Sequence, residues 1–325
     1  CRTIMLPRLA LTRGERGAWL RPRVIAQLLR GRYDAIIFEA SLALTPEIAA
    51  ALASRPVTRS AVLLWGSGWQ PAEPSVVTRV RTLMHRAMVR SADAAIAYSD
   101  TAAAWFRDRG AREVFVAPNA TDAAALQELR EAAAHAPQRL VEARRTRGVT
   151  RPYVLHVGTL RAEKRIDVLL DAWERLRDRR GHELVIVGGG AQLRELQERA
   201  RHLADVRWLG PVYEPFELLA LFAGARCFVL PGTGGLAINE ALSVGTPVIV
   251  ASADGTERAL VADGVNGLFV APGDVESLAS ALQRLLDDDA LRARLGANAR
   301  TRIDTAINMG AMQDGFLRAV SRCVE

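Results

Sequence analysis

Lysine is almost absent: Lys164 is the only one among the 43 basic residues. Cysteine is scarce too. Cys1, Cys227 and Cys323 lie far apart with no C-x-x-C pair, which argues against a zinc cluster or a disulfide framework and fits a reducing compartment with free thiols. His156, His182 and His202 show no metal-ligand spacing and read as structural, with His156, two residues before Gly158, the one to watch. No run approaches about 18 uncharged apolar residues, so no membrane-spanning helix is expected. The chain has no Gly-Lys-Ser/Thr and no G-x-G-x-x-G, which excludes the P-loop and the dinucleotide fingerprint. No short-period repeat is visible. An initiator Met and an apolar signal core are also lacking; the opening Cys1-Arg2-Thr3 fits a chain that begins part-way through a longer one.

What is present is an ordinary globular composition, half apolar and 24% charged, over 325 residues, a length that suits about two domains. The formal net charge of +7 is unevenly spread. Residues 1–150 carry 22 Arg against 13 acidic residues, and residues 151–325 are slightly acidic, with 21 basic against 23. Eight arginines fall between Arg2 and Arg32, with Glu15 the only acid among them. Such a half suits an anionic partner. Two readings stay open, a solvated arginine surface and a face for an anionic membrane. Nucleic acid is disfavoured, because no recognised motif or aromatic interleaving accompanies the arginines.

Short Val- and Ile-rich runs alternate with helical stretches. They are Asp34–Phe38, Ala61–Trp65, Ala94–Tyr98 and Glu113–Ala117, then Tyr153–Val157, Glu183–Val187, Val206–Leu209, Cys227–Leu230 and Pro247–Val250. Runs of this kind predict buried parallel strands. Between them, Ile166, Leu169, Leu170, Trp173 and Leu176 follow helical spacing, as do Leu278, Leu282, Leu285 and Leu286. The alternation predicts α/β architecture, with two Rossmann-like, doubly wound parallel-sheet domains facing a central cleft. Proline and glycine punctuation between about 120 and 150 sets the boundary, giving domains 1–140 and 141–325.

Three stretches of the second half place glycine just beyond a strand: His156–Lys164, Val185–Gly190 and Leu230–Val250. Glycine there lets backbone approach a ligand, and the following helix start suits a phosphate. In the first half, Trp65-Gly66-Ser67-Gly68-Trp69 follows a strand. Trp65 and Trp69 there suit a stacking platform for an acceptor sugar, with Ser67 between them, or equally a core tryptophan beside a turn.

These stretches resemble glycosyltransferase family 4, the retaining, nucleotide-sugar-dependent transferases of GT-B fold. Val157-Gly158-Thr159-Leu160-Arg161-Ala162-Glu163-Lys164 is similar to the family's V-G-R-L-x-x-E-K, and Pro231–Ile249 to its P-S-x-x-E-G-F-G-L-x-x-x-E-A-x-A-x-G-x-P-V-I. Asp254–Gly267, with Gly255 and Glu257, resembles G-x-x-E-x-V-x-x-G-x-N-G, and Asp274 matches a further landmark. Ser91–Asp100 and Val116–Asp122 are looser matches to a strand and a P-N-G-x-D hinge. The resemblance places the family's first strand and glycine loop upstream of Cys1.

The resemblance implies a donor site made by Gly158, Thr159, Arg161, Lys164, Gly189, Gly234, Gly235, Leu236 and Glu240. Lys164 would be the phosphate cation, Gly235 and Leu236 would give amides to the diphosphate, and Glu240 would bind ribose hydroxyls. It implies no metal and no cofactor, with the nucleotide-diphosphate sugar as substrate and a glycan or lipid-linked acceptor on the first domain, Trp65, Ser67 and Trp69 on the acceptor side. The setting would be cell-envelope polysaccharide synthesis, cytoplasmic and peripheral on the inner face of the membrane. Two positions depart from the pattern: Thr159 stands where the family has arginine, with Arg161 and Arg165 nearby, and Gly232 stands where it has the first glutamate of its pair. Some members carry P-G-x-x-G-L here. The alternatives are a non-catalytic GT-B nucleotide-sugar-binding partner protein and a GT-B sugar-nucleotide epimerase. Ser67 stands roughly where the family often has a histidine, so the resemblance supplies no catalytic base.

Overall fold

A computed structural model describes residues 9–10, 19–20, 22–68, 76–118, 120, 127–131, 135–253 and 255–324. The chain divides into two compact units, residues 1–118 with 312–325, and residues 119–311.

In the first unit a short antiparallel pair, β1 (Leu9–Ala10) and β2 (Trp19–Leu20), precedes the sheet. The sheet is four parallel strands in the order β3 (Ala35–Glu39), β4 (Ala61–Gly66), β5 (Ala94–Ala97) and β6 (Val114–Val116). One face carries Val62, Leu64, Ala95 and Ala97, packed with Met88, Val89 and Phe106 from helices Val76–Ser91 and Asp100–Asp108. The other face carries Leu63 and Ile96, and is covered by Met312, Phe316, Ala319 and Val320 of the helix Met309–Val324. Gly315 makes that approach possible, since a Cβ there would stand 2.4 Å from the Val116 carbonyl oxygen.

This helix is the main departure from the expected boundary. The sequence places everything from 141 on in the second domain, yet the last helix covers one face of the first unit's sheet, with Ala319 buried and Met312, Phe316 and Val320 packed beside it. The division also falls at 118/119 rather than 140/141, because the helix Pro137–Thr146 packs on the helix Pro215–Gly224. Arg139 lies over the Phe216 ring at 5.0 Å, and Arg147 pairs with Glu217.

The second unit holds six parallel strands in the order β12 (Gly267–Val270), β11 (Val248–Ala251), β10 (Cys227–Leu230), β7 (Tyr153–Val157), β8 (Glu183–Val187) and β9 (Val206–Gly210). The chain builds outward from β7 to β9, then returns to pair β10 with β7 and builds the other way. The reversal between β7 and β10 is a topological switch point, where open parallel sheets form a crevice at the strand carboxyl ends. Trp173, Leu169 and Ile166 of the helix Ile166–Glu174 and Leu278, Leu282 and Leu285 of the helix Val275–Asp287 are fully buried beside the strands. Each such side chain contributes about 1.5–3 kcal/mol by leaving water. Asp274 caps the latter helix by accepting from the Ser277 amide at 3.0 Å, which gives that landmark a local structural role. Leu176 lies past the end of its helix but still joins the core.

Candidate functional site

The loops that follow β7 and β10 meet at the switch point. They are stitched by backbone: the Thr233 amide donates to the Glu163 carbonyl at 2.8 Å. Lys164, on the short 3-10 turn Ala162–Lys164, sends Nζ to the Thr233 and Gly234 carbonyls, at 3.0 Å each. Its ammonium is 3.7 Å from the point a Cβ of residue 235 would occupy. Gly235, in extended conformation, opens the helix Leu236–Ser243. A cation and the amide-rich start of a helix therefore converge on one spot, the arrangement that suits an anion.

The loop after β8 closes the other side. The Leu160 amide donates to the Gly189 carbonyl at 3.0 Å, and a Cβ at Gly188, whose φ is +137°, would meet the Gly158 carbonyl oxygen at 1.9 Å. The triple glycine thus packs loop on loop within this unit. Thr159 and Arg161 are exposed on the β7 loop. Arg165, suggested by sequence as a second cation, is engaged with Asp167 at 3.2 Å.

Gly232 has a steric reason. A Cβ at that position would lie 2.1 Å from the Glu163 carbonyl oxygen and 2.6 Å from the Lys164 Cα. The space that a side chain would enter is filled by the backbone that carries Lys164. Gly234 is cramped as well: a Cβ would stand 3.0 Å from Thr256 Oγ1 and 3.2 Å from Glu257 Oε1. Glu257 is fully buried, and its Oε2 accepts from the Gly255 amide at 3.1 Å. The sequence places Glu257 in its own loop, and its approach to Gly234 on the loop after β10 is not legible there. The signal was in the 254–267 motif; the proximity comes only from folding.

Glu240 lies one turn into the helix Leu236–Ser243, half-buried. Burial pushes its carboxyl up to about 6, so the carboxylate form is retained at neutral pH and lost on mild acidification.

His156 is fully buried on β7. Its Nδ1 lies 2.9 Å from the Val229 carbonyl, which can only accept, so the proton sits on Nδ1 and the ring stacks on Phe228. Burial pushes the imidazole down to about 4, with Lys164 adding to the effect and the Val229 carbonyl opposing it. It is therefore neutral at pH 7. A histidine whose folded pKa is depressed stabilises the fold fully above the unfolded value near 6.5, and that contribution is lost as pH falls towards 4. His85 and His182, both lowered chiefly by burial, act in the same direction, while the raised Glu240 acts against them. Replacing His156 with Phe should flatten the acid limb of a stability–pH curve measured by urea unfolding, by roughly 3 kcal/mol between pH 6.5 and 4. An unchanged acid limb would remove His156 from that account.

On the first unit, Trp65 is taken up by packing: its ring lies 5.0 Å from Tyr98 and 5.3 Å from Phe316. It joins the cluster under the last helix as a partly buried side chain. The Ser67 hydroxyl donates to the Gly68 carbonyl at 3.3 Å, and Trp69 lies outside the described residues. Among the described residues no group of three His, Cys, Asp or Glu side chains is placed to hold a metal, and no helix is long and apolar enough to cross a membrane.

Two parallel-sheet α/β units, with loops gathered at a switch point, are the GT-B architecture. HepE of Anabaena, solved in complex with UDP, superposes with a TM-score of 0.76 at 20% identity, over 93% of this chain and 82% of that one. Sucrose-phosphate synthase from Thermosynechococcus elongatus superposes with a TM-score of 0.73 at 23% identity, over 94% and 78%. Residues 140–302 match the family described as Glycosyl transferases group 1, and the chain belongs to it. Glycogen synthase of Mycobacterium tuberculosis is 36% identical over 157 residues, 46% of this chain and 37% of that protein. D-inositol 3-phosphate glycosyltransferase of Xylanimonas cellulosilytica is 35% identical over 187 residues, 54% and 44% respectively. The chain thus spans less than half the length of these two relatives.

Proposed function

We propose that the chain is a retaining, metal-independent glycosyltransferase. It moves a sugar from a nucleotide-diphosphate donor to a glycan or lipid-linked acceptor in cell-envelope polysaccharide synthesis. The observation that carries this reading is Lys164 Nζ, fixed by the Thr233 and Gly234 carbonyls beside the start of the helix Leu236–Ser243. A departing diphosphate gathers negative charge, and a fixed ammonium with the Gly235 and Leu236 amides stabilises it as it forms. Arg161 supplies a second cation, Gly158, Thr159 and Gly189 frame the nucleotide, and Glu240 accepts from the ribose hydroxyls. The relatives named glycogen synthase and D-inositol 3-phosphate glycosyltransferase, and HepE structures holding UDP and UDP-glucose, support a nucleotide-sugar donor.

Glu240 gives the test. Glu240→Ala should weaken a nucleoside diphosphate about tenfold in calorimetric titration, the usual worth of a hydrogen bond to a charged group. Affinity for inorganic pyrophosphate should hardly change. Wild-type affinity for the nucleoside should also fall as pH drops below about 6, since the protonated carboxyl loses acceptor capacity. Equal losses for pyrophosphate and nucleotide would remove Glu240 from the ribose.

Gly232 favours a second reading, a non-catalytic nucleotide-sugar-binding partner, because the glutamate resembling the family's first carboxylate has no room there. Turnover measured beside binding separates the two.

A peripheral membrane setting rests on charge. Arg2, Arg8, Arg13, Arg16 and Arg21 lie outside the described residues, and Arg23, Arg30 and Arg32 are exposed. Each well-placed arginine is worth up to about 1 kcal/mol at an anionic leaflet. The protein should sediment with phosphatidylglycerol vesicles at low salt, be released at 1 M salt, where screening shortens to about 3 Å, and bind phosphatidylcholine poorly. Negligible pelleting in all conditions would return the arginines to a solvated surface.

A further inference from the structure

The second unit has another basic concavity, at the opposite end of its sheet. A cavity of about 390 Å³ opens where β7 and β10 begin, between the ends of the helices Pro137–Thr146 and Pro215–Gly224. Among the described residues its lining includes four arginines, Arg144, Arg145, Arg151 and Arg226, and no Asp or Glu. Two of the four are held by carbonyls rather than carboxylates. Arg144 Nη1 donates to the Ala220 carbonyl at 3.2 Å, and Arg151 Nε to the Gly181 carbonyl at 2.9 Å. Among the described residues Arg226 faces the Asp289 carboxylate at 3.9 Å, and Asp289 is exposed and already paired with Arg292. Carbonyl anchoring fixes guanidinium planes without neutralising them, so the cavity keeps most of its positive charge in a concave wall.

We propose that this cavity is a binding site for a phosphomonoester, separate from the Lys164 site. Guanidinium forks match phosphate oxygens bidentately, and several around one concavity select a dianion over a carboxylate. The volume lies within the range of small-ligand pockets, about 300–1,000 Å³, and exceeds what a lone phosphate ion would fill. The site begins at residue 141 and ends at residue 226, wholly inside one compact unit, so it does not depend on the other. A phosphorylated metabolite and the phosphate of a lipid headgroup share this chemistry.

The test uses the full chain with two probes, glycerol 3-phosphate in solution and phosphatidic acid in phosphatidylcholine vesicles. Arg145→Gln and Arg151→Gln are compared with wild type and with Lys164→Ala, reading the dissociation constant and the melting temperature. Among the described residues Arg145 makes no carbonyl anchor of the kind Arg144 and Arg151 make, so its loss should leave the fold intact. Saturable binding that Lys164→Ala preserves and either arginine variant weakens about tenfold or more supports the site. Binding of the soluble probe identifies a metabolite; arginine-dependent binding of the vesicle alone identifies a headgroup. Absence of binding to both probes, affinities unchanged in Arg145→Gln and Arg151→Gln, or loss in Lys164→Ala would overturn it.

Discussion

Lys164→Ala is expected to weaken a nucleoside diphosphate by one to two powers of ten in calorimetric titration. The ammonium reaches from the loop after β7 to the loop that carries Gly234 and Gly235, where its two 3.0 Å hydrogen bonds fix it in place. Removing a charge-assisted contact to phosphate costs about 1.5–3 kcal/mol. The substitution also unties Lys164 from the Thr233 and Gly234 carbonyls, which adds to the loss. Lys164→Arg should recover little, because a planar fork cannot replace a compact ammonium between two carbonyls. Affinity equal to wild type in both variants would detach the phosphate from this loop.

Gly232→Glu, which would restore the glutamate of the resembling family, should do harm. The new Cβ would sit 2.1 Å from the Glu163 carbonyl oxygen, a backbone atom with little freedom to yield. Relieving the clash moves the 163–164 segment, so thermal stability and nucleotide affinity should fall together. Overpacking of this kind costs about 1–3 kcal/mol, and Gly232→Ala should show most of it. If Gly232→Glu melted like wild type and gained turnover, the loop would be free to relax and the steric explanation would fail.

The parts of this molecule that rest on local pattern were readable in advance. Tyr153–Val157, Glu183–Val187 and Cys227–Leu230 form strands at the bounds expected, because strands buried on both faces must be continuously apolar. β12 was not expected: Gly267–Val270 begins on a glycine inside a loop motif, and only its pairing with β11 makes it a strand. The glycine loops and Lys164 were legible as motifs, but the Gly232 clash and the approach of Glu257 to Gly234 arise between segments far apart in sequence. The packing of Trp65 against Phe316 of the last helix is another such contact. That helix is itself a long-range event, and no local signal distinguishes a helix that closes its own domain from one that crosses back.

The crossing helix also fixes an order of completion. Helix Met309–Val324 leaves the ribosome after every strand of the second unit, so β7 to β12 can close their sheet while Leu63 and Ile96 of the first unit are still uncovered on one side. Domains made during synthesis usually finish in N-to-C order. Here the unit whose strands come earlier receives its covering helix only after the strands of the other, and until then Leu63 and Ile96 lie on an open apolar face of the kind that chaperones recognise.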